Sequence, residues 1–507
     1  MGNARWLLPA LLLVGCAQLP PRVDQPMEAS AAPAMSGDIA ERVLPREARH
    51  PGQSGFRLVS TGTEAYALRA YSAQAASTSL DVQTYIWHND LTGKLLARHA
   101  LSAADRGVRV RILVDDLDAR AKNDGFAALD AHPNIQVRMY NPMASRKGTL
   151  SKAAEFGTGF ARLNHRMHNK SWIADGRIAL VGGRNLGNEY FDAHEGTNFV
   201  DLDLLMAGPV VREVSESFDR FWNSPSNYPI RQLSPEAVND AALVSLRATL
   251  DALPAELASS RYAQVLREDP AVRELLYGET TLHWTADWQF VSDDPLKASL
   301  PMEQRSAVLL ALVPALESAQ TEVSLISPYF VPGETGTRQL IGLDQGGIRV
   351  RVLTNSLAAT DVAAVHGGYS RYRAELLAGG VEIWELKPAA GEPREFSLAG
   401  SSGSSLHTKA LILDRERSFV GSYNLDPRST SLNCEQGVLV THAGLAAELA
   451  ALYAREIRGE RAWKVSLVEG ELRWSDGLRT EDSEPDAGAS QRFQAWLMKL
   501  LPVESQL

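Results

Sequence analysis

The chain of 507 residues and 55.2 kDa exceeds one ordinary core, because domains cluster near roughly 100–200 residues, so at least two are expected. Hydrophobic residues at 45% and charged residues at 22% exclude collagen, coiled coil, wholesale disorder and a polytopic membrane protein. A net charge of −10 removes the global basic field that drives non-specific nucleic-acid binding, so an anionic substrate needs a local basic pocket. The two cysteines, Cys16 and Cys434, are too few for a disulfide scaffold or a metal finger.

Residues 1–16 read as a signal peptide, with Arg5 before an apolar run from Trp6 to Val14 that is about half of the ~20 residues needed to span a bilayer. Leu13-Val14-Gly15-Cys16 resembles the bacterial lipobox, whose cysteine receives a diacylglyceryl group; a plain secretory signal or an N-terminal anchor is the alternative. Trp6 stands where myristoylation at Gly2 would want Ser or Thr. Residues 17–54 are rich in Pro and Ala and read as an extended tether.

Leu80–Trp87 alternates as a strand, Thr92–Asp105 has helical spacing, and Val108–Val114 is a second strand. The same order returns in Val323–Val331, Thr337–Leu343 and Ile348–Leu353, with Arg109 and Arg349 240 residues apart. Each half continues through a helix, Phe126–Ala131 or Gly368–Ala378, into a strand, Ile135–Tyr140 or Val381–Leu386. The pattern predicts two homologous α/β domains, 55–223 and 301–507, joined by an inter-domain segment, 224–300.

One motif occurs in both halves. His168, Lys170, Asp175, Gly183 and Asn185 recur as His407, Lys409, Asp414, Ser422 and Asn424, 239 residues on with identical spacing. Chance supplies one such motif in roughly one chain in 10⁴ of this size. In a strand, positions i and i+2 share a face, which sets imidazole beside ammonium. Two-residue turns at Asp175-Gly176 and Asp414-Arg415 would pair His168 with Gly183 and His407 with Ser422, leaving room for a phosphate at each histidine. Each aspartate then lies about 20 Å along the strand from its histidine, which assigns Asp175 and Asp414 a mainly structural role.

These are the HKD motifs, and the chain resembles the phospholipase D superfamily. Arg162–Phe191, Phe199–Val211 and Gly421–Glu435 are similar to bacterial cardiolipin synthases; Ser292–Lys297, Thr360–Arg373 and Leu501–Leu507 place it nearest their C branch. The resemblance implies two α-β-α sandwich domains in pseudo-twofold arrangement with one shared active site. One histidine attacks phosphorus and the other protonates the leaving oxygen, with His168 favoured by analogy as the nucleophile. Lys170, Lys409, Asn185, Asn424, Ser422 and Gly183 would surround the phosphate, with the Ser422 hydroxyl as a donor to it. Glu435 would orient His168 across the interface, with a structural salt bridge as the alternative, and Glu195 is the weaker first-half counterpart. No metal or cofactor is implied.

The implied reaction is phosphatidyl transfer to phosphatidylglycerol from a second phospholipid, with phosphatidylethanolamine as one donor. Water as acceptor would give a phospholipase D hydrolase instead. The acidic balance and the lipobox weigh against a nuclease, and two complete motifs against a dead lipid-binding site. Partners are phospholipids and a membrane, not nucleic acid, and the lipid on Cys16 places the protein in a bacterial envelope facing the periplasm. Arg162, His165 and Arg166 are candidates for a second lipid phosphate or for plain surface charge. His366 and Tyr369 share a helical face and either line the headgroup pocket or pack ordinarily. Trp284 and Trp288 read as core rather than lipid contacts, Cys434 as an inert buried thiol. The stripe Phe493, Trp496, Leu497, Leu500 and Leu501 favours docking on the second domain over lying in a membrane surface.

Overall fold

A computed structural model describes residues 19–23, 25–119, 123–145, 155, 160–196, 198–277, 280–388 and 405–500. Cys16 and the closing Leu501–Leu507 lie outside the described residues.

Strands β1 (Ser54–Val59), β2 (Ser79–Thr84), β3 (Arg109–Asp115), β4 (Ile135–Tyr140), β5 (Ser171–Ala174), β6 (Ile178–Gly182), β7 (Asp203–Ala207), β8 (Asn227–Pro229) and β9 (His283–Thr285) form one sheet. A second sheet contains β10 (Trp288–Ser292), β11 (Glu322–Ile326), β12 (Arg349–Asn355), β13 (Glu382–Leu386), β14 (Ala410–Leu413), β15 (Arg417–Gly421), β16 (Gln436–Thr441), β17 (Ala462–Val468), β18 (Glu471–Ser475) and β19 (Thr480–Glu481). The order β4-β3-β2-β5-β6-β7-β1 in the first sheet is repeated as β13-β12-β11-β14-β15-β16-β10 in the second, so the duplication holds strand for strand.

In each half the first crossover helix, Leu91–Asp105 or Gly333–Gln345, makes its flanking strands parallel, β2 to β3 and β11 to β12. β4 and β13 extend these parallel runs, and the motif hairpins β5–β6 and β14–β15 are antiparallel through tight turns. Three apolar clusters follow from this layering. One lies under the outer helices of each sheet, and a shared one lies between the sheets. The shared cluster holds Val214, Phe218 and Phe221 of helix Val210–Trp222 with Leu445 and Leu449 of helix Ala443–Glu456, so the halves are joined through a real core.

Several expectations need correction. The tether carries the helix Asp38–Arg49, whose Ile39, Ala40 and Val43 share a face and are buried. Pro45 within that helix disguises its periodicity in the sequence. Upstream, Ser30 donates to Asp219 at 2.7 Å through its backbone N–H, and Arg138 reaches the Glu28 carboxylate at 2.6 Å, so this stretch is docked on the first domain. The inter-domain segment divides rather than bridging. Its helices put Leu250, Leu253 and Tyr262 into the first core and β9 pairs with β1, whereas β10 pairs with β16 of the second sheet. Gly368–Ala378 splits into the helices Ala363–Tyr369 and Arg373–Ala378.

The motif turns are one residue longer than the Asp-Gly signal indicates. Ala174 pairs with Ile178 and Leu413 with Arg417, leaving three-residue loops in which Asp175 (φ 54°) and Asp414 (φ 53°) are left-handed. The cause is the use made of each carboxylate. Asp175 accepts from the backbone N–H groups of Ser77, Thr78 and Ser79 at 2.7–3.1 Å and from the hydroxyls of Ser77 and Thr78. Asp414 does the same for Gln320, Thr321 and Glu322. Each aspartate thereby ties its hairpin to the start of the central strand, β2 or β11.

The C-terminal helix Ala489–Leu500 does dock on the second domain, but through small residues. A Cβ on Gly367 would lie 2.7 Å from the Ala495 carbonyl, and Ala495 is buried while Phe493, Trp496 and Leu497 of the apolar stripe stay exposed.

Candidate active site

The two motifs meet where the halves cross over each other. A parallel bridge joins Met167 to Cys434 and its twin joins Val200 to Leu406. His168 donates its backbone N–H to the Cys434 carbonyl at 2.9 Å, and His407 donates to that of Val200 at 2.8 Å. Each histidine is therefore held by the opposite half, next to a carboxylate that half supplies. His168 Nδ1 lies 2.8 Å from Glu435 Oε2, and His407 Nδ1 lies 2.6 Å from Asp201 Oδ2. With Nδ1 fixed, chemistry at both rings falls to Nε2.

Glu435 stands where the sequence reading put it, but its counterpart is Asp201 rather than Glu195, which is exposed in a loop. Register explains the equivalence: Gly182 pairs with Asp203 and Gly421 with Gly437, and Asp201 and Glu435 each precede those partners by two residues. Asp201 is 16 residues after Asn185 whereas Glu435 is 11 after Asn424, so a five-residue insertion in the first copy hides the match.

The difference between Gly183 and Ser422 belongs to the same carboxylates and not to the phosphate. A Cβ on Gly183 would sit 2.2 Å from Asp201 Oδ1, so the glycine makes room for the shorter acid. Ser422 Oγ donates to Glu435 Oε2 at 2.6 Å and accepts from the Gln436 N–H at 3.0 Å, which commits the hydroxyl expected to face the phosphate. Ser429 Oγ adds a bond to Glu435 at 2.9 Å. Behind them Lys297 pairs with Asp293 at 2.6 Å, both fully buried, and Asp293 accepts the Glu435 N–H at 2.9 Å. The stretch Ser292–Lys297 thus buttresses the acid that holds His168.

Lys170 Nζ donates to the carbonyl of His168 at 2.5 Å, and Lys409 repeats this bond to His407. Both ammonium groups are buried. Burial, opposed by Asp201 and Glu435, brings Lys409 down to about 8. Burial also lowers Lys170, with Lys409 adding to the effect. Burial, followed by Lys170 and Lys409, holds His168 well below the ordinary histidine range. Burial and Lys409 bring His407 down to about 4 against the upward pull of Asp201. Each histidine thus feels the lysines of both halves, which makes this one electrostatic site.

The asparagines differ. Asn185 donates to Tyr190 Oη at 2.9 Å and accepts from the Ile86 N–H at 3.1 Å, so its amide is engaged, whereas the buried side-chain oxygen of Asn424 has no partner among the described residues. Aromatic rings wall both imidazoles, Tyr85 edge-on to His168 at 5.2 Å, Tyr190 at 5.4 Å and Phe199 at 5.2 Å from His407.

The candidates for a second phosphate are otherwise occupied. Arg166 is buried against Asp115 at 3.1 Å, and His165 is bonded to Tyr140 Oη at 2.7 Å and to the carbonyls of Pro295 and Leu432. Arg162 bonds Asn141 and Glu155. His366 and Tyr369 are buried on Glu484 and Glu385 at 3.2 and 2.9 Å, in a polar network with Arg373. Trp284 stacks on His50 at 4.8 Å and Trp288 is half-buried in β10. Burial pushes the Cys434 thiol well up, as expected of an inert core cysteine. Among the described residues one set of potential metal ligands gathers, His88, Asp90 and Glu189, but Asp90 caps the helix Leu91–Asp105 and Glu189 is spent on His88 at 2.8 Å.

Comparison with known proteins agrees with this geometry. The family model described as "Cardiolipin synthase, PLD-like domain" matches twice, over residues 72–222 and 312–457. The chain is 38% identical to cardiolipin synthase C of Escherichia coli over 92% of its own length and 99% of that protein's. It is 26% identical to cardiolipin synthase A of Pseudomonas entomophila over 85% of this chain and 76% of the other. Among solved structures, phosphatidylserine synthase of Haemophilus influenzae shares the fold, with a TM-score of 0.57 at 13% identity over 92% of this chain and all of that one. With two matched domains, complete motifs in both and a full-length relative, the chain belongs to the cardiolipin synthase family of proteins with phospholipase D-like domains.

Proposed function

We propose that the protein is a phosphatidyltransferase that makes cardiolipin from phosphatidylglycerol and a second phospholipid through a phosphohistidine. The observation that carries this reading is the pair of buried imidazoles, each fixed at Nδ1 by a carboxylate from the opposite half, beside two buried lysines. His168 Nε2 attacks phosphorus, the bond from phosphorus to the headgroup oxygen breaks, and His407 gives that oxygen its proton. A glycerol hydroxyl of phosphatidylglycerol then passes its proton to His407, its oxygen bonds phosphorus, and the bond to His168 breaks. Burial and the neighbouring lysines favour the neutral form of both rings without substrate, which suits the nucleophile. The anionic phosphate raises His407 toward the imidazolium that the acid role requires, with Asp201 pulling the same way. Lys170 and Lys409, with the N–H donors of the Asn424 amide, are the groups assigned to the nonbridging oxygens.

Purified protein incubated with phosphatidylglycerol, with and without phosphatidylethanolamine, tests this by mass spectrometry of the products. Cardiolipin that disappears in His168→Ala and His407→Ala is the expected result. Phosphatidic acid alone makes the protein a hydrolase, and nicked plasmid makes it a nuclease; either sinks the transferase reading. The protein reaches its lipids through the lipobox, with Cys16 diacylated and the body facing the periplasm. Among the described residues no helix is long and apolar enough to cross a membrane. A Cys16→Ala variant that still fractionates with membranes would refute the anchor.

A further inference from the structure

The two halves match strand for strand, but their outer helices are covered differently. In the first half, the helices Gly62–Ala75 and Leu91–Asp105 are roofed by Asp240–Ser259, Arg261–Glu268 and Pro270–Tyr277. Tyr66 meets Phe191 and Tyr262 edge-on at 5.9 and 5.8 Å, and Tyr262 Oη donates to the Phe191 carbonyl at 2.9 Å, so that face is filled. Their counterparts in the second half are Ala307–Glu317, capped by Ser306 as Gly62–Ala75 is by Thr61, and Gly333–Gln345. Between these two helices, among the described residues, lies an open cavity of about 870 Å³. That size is within the roughly 300–1,000 Å³ of small-molecule sites.

The walls select what enters. Leu309, Leu312, Val313, Leu316, Leu340 and Leu343 supply the sides, and among the described residues no Lys, Arg or His lines the cavity. Among the described residues its ionisable groups besides tyrosines are the carboxyls of Glu317, Glu334 and Asp426, and the exposed Glu317 and Glu334 carry the sign that repels a phosphate. Met302, 62% exposed, stands at the rim and gives the mouth an apolar border. The floor is built in part by the chain segment that carries Asn424. Tyr423 and Leu425 line the cavity, and the residue between them is Asn424.

We propose that this cavity holds an acyl chain of the phospholipid that reacts at His168 and His407, an inference that rests on the lipid-substrate reading above. The lysines bind the phosphate, and hydrocarbon goes where no cation is present. Each buried methylene strengthens binding roughly fourfold, so filling the space of a few methylenes removes more than tenfold.

Two variants of the full chain test this, Val313→Trp from a half-buried wall position and Gln339→Trp from an exposed one. Binding of phosphatidylglycerol carrying a pyrene-labelled long acyl chain is compared with binding of the chainless headgroup compound glycerophosphoglycerol. Turnover of dihexanoyl and dioleoyl phosphatidylglycerol is followed in parallel, counting transfer and hydrolysis together. Expected are at least tenfold weaker binding of the labelled lipid and at least tenfold lower kcat/KM on the dioleoyl lipid, with less than twofold change on glycerophosphoglycerol and the dihexanoyl lipid. Equal losses on long and short chains, or no loss in either variant with circular dichroism unchanged, overturn the proposal. So does a wild-type protein that fails to bind the labelled lipid, as it would if part of this chain filled the cavity. Binding that follows this pattern with no turnover of any lipid leaves the acyl site standing and refutes the transferase reading alone.

Discussion

Asp201→Asn isolates what the first half contributes to the second half's histidine. Asparagine has the same shape and can still accept the Leu202 N–H that Asp201 Oδ1 now holds at 2.8 Å, so the fold is expected to persist with Tm within a few degrees. The charge facing His407 Nδ1 at 2.6 Å is lost. Asp201 raises the affinity of His407 for a proton, so without it the imidazolium is scarcer at every pH, on a ring already down to about 4. A hydrogen bond to a charged group is worth about 1.5–3 kcal/mol, or roughly 10- to 150-fold in rate. An amide N–H turned toward Nδ1 would also select the wrong tautomer, a defect that costs about 10⁴-fold in the analogous carboxylate-to-amide change of serine protease triads. We expect kcat to fall by about 10²- to 10⁴-fold in a single-turnover assay of headgroup release, with binding of lipid little altered. Glu195→Gln, on the residue the sequence offered for this role, should leave the rate within twofold. Asp201→Asn retaining more than half of wild-type kcat, or Glu195→Gln losing as much as Asp201→Asn, would refute the assignment.

Other expectations come from the same contacts. Lys409 keeps its charge below about 8 and loses it as pH rises, so kcat/KM should decline on the alkaline side near that value. In Lys409→Arg, if active, the decline should move beyond pH 10, because guanidinium does not titrate there; an unmoved limb would assign it to another group. Gly183→Ala should slow turnover more than Ser422→Ala, since the added methyl strikes Asp201 whereas the lost hydroxyl removes one bond to Glu435; the opposite ranking would return Ser422 to the phosphate. Asp175→Ala leaves three strand N–H groups without their acceptor and should cost about 3 kcal/mol or more by denaturant titration. Asp414→Ala, at a more exposed turn, should cost less, and folded protein of either variant should keep activity within a fewfold.

The duplication was readable because it needs only period and spacing. Alternation marked β2, β3 and their repeats, residue types at fixed offsets marked both motifs, and family resemblance pointed to Glu435. The turns were misplaced by one residue because Asp-Gly advertises a two-residue hairpin, and nothing local to Asp175 shows that its carboxylate is answering Ser77, Thr78 and Ser79, nearly 100 positions away. Asp201 was missed because an insertion broke the spacing, and only sheet register restores the equivalence with Glu435. The helix Asp38–Arg49 was hidden by composition.

By itself, then, the sequence determined the family, two complete catalytic motifs, the paired α/β halves and an acidic chain with a lysine two residues after each motif histidine. Tertiary structure decided which carboxylate serves which histidine, what Gly183 and Ser422 make room for, and where a cation-free cavity opens beside the motif. Chemistry-bearing residue types repeat along the chain and can be counted there. The partner of a buried group is set by which backbone crosses it, and here the carboxylate of each catalytic histidine comes from the other half.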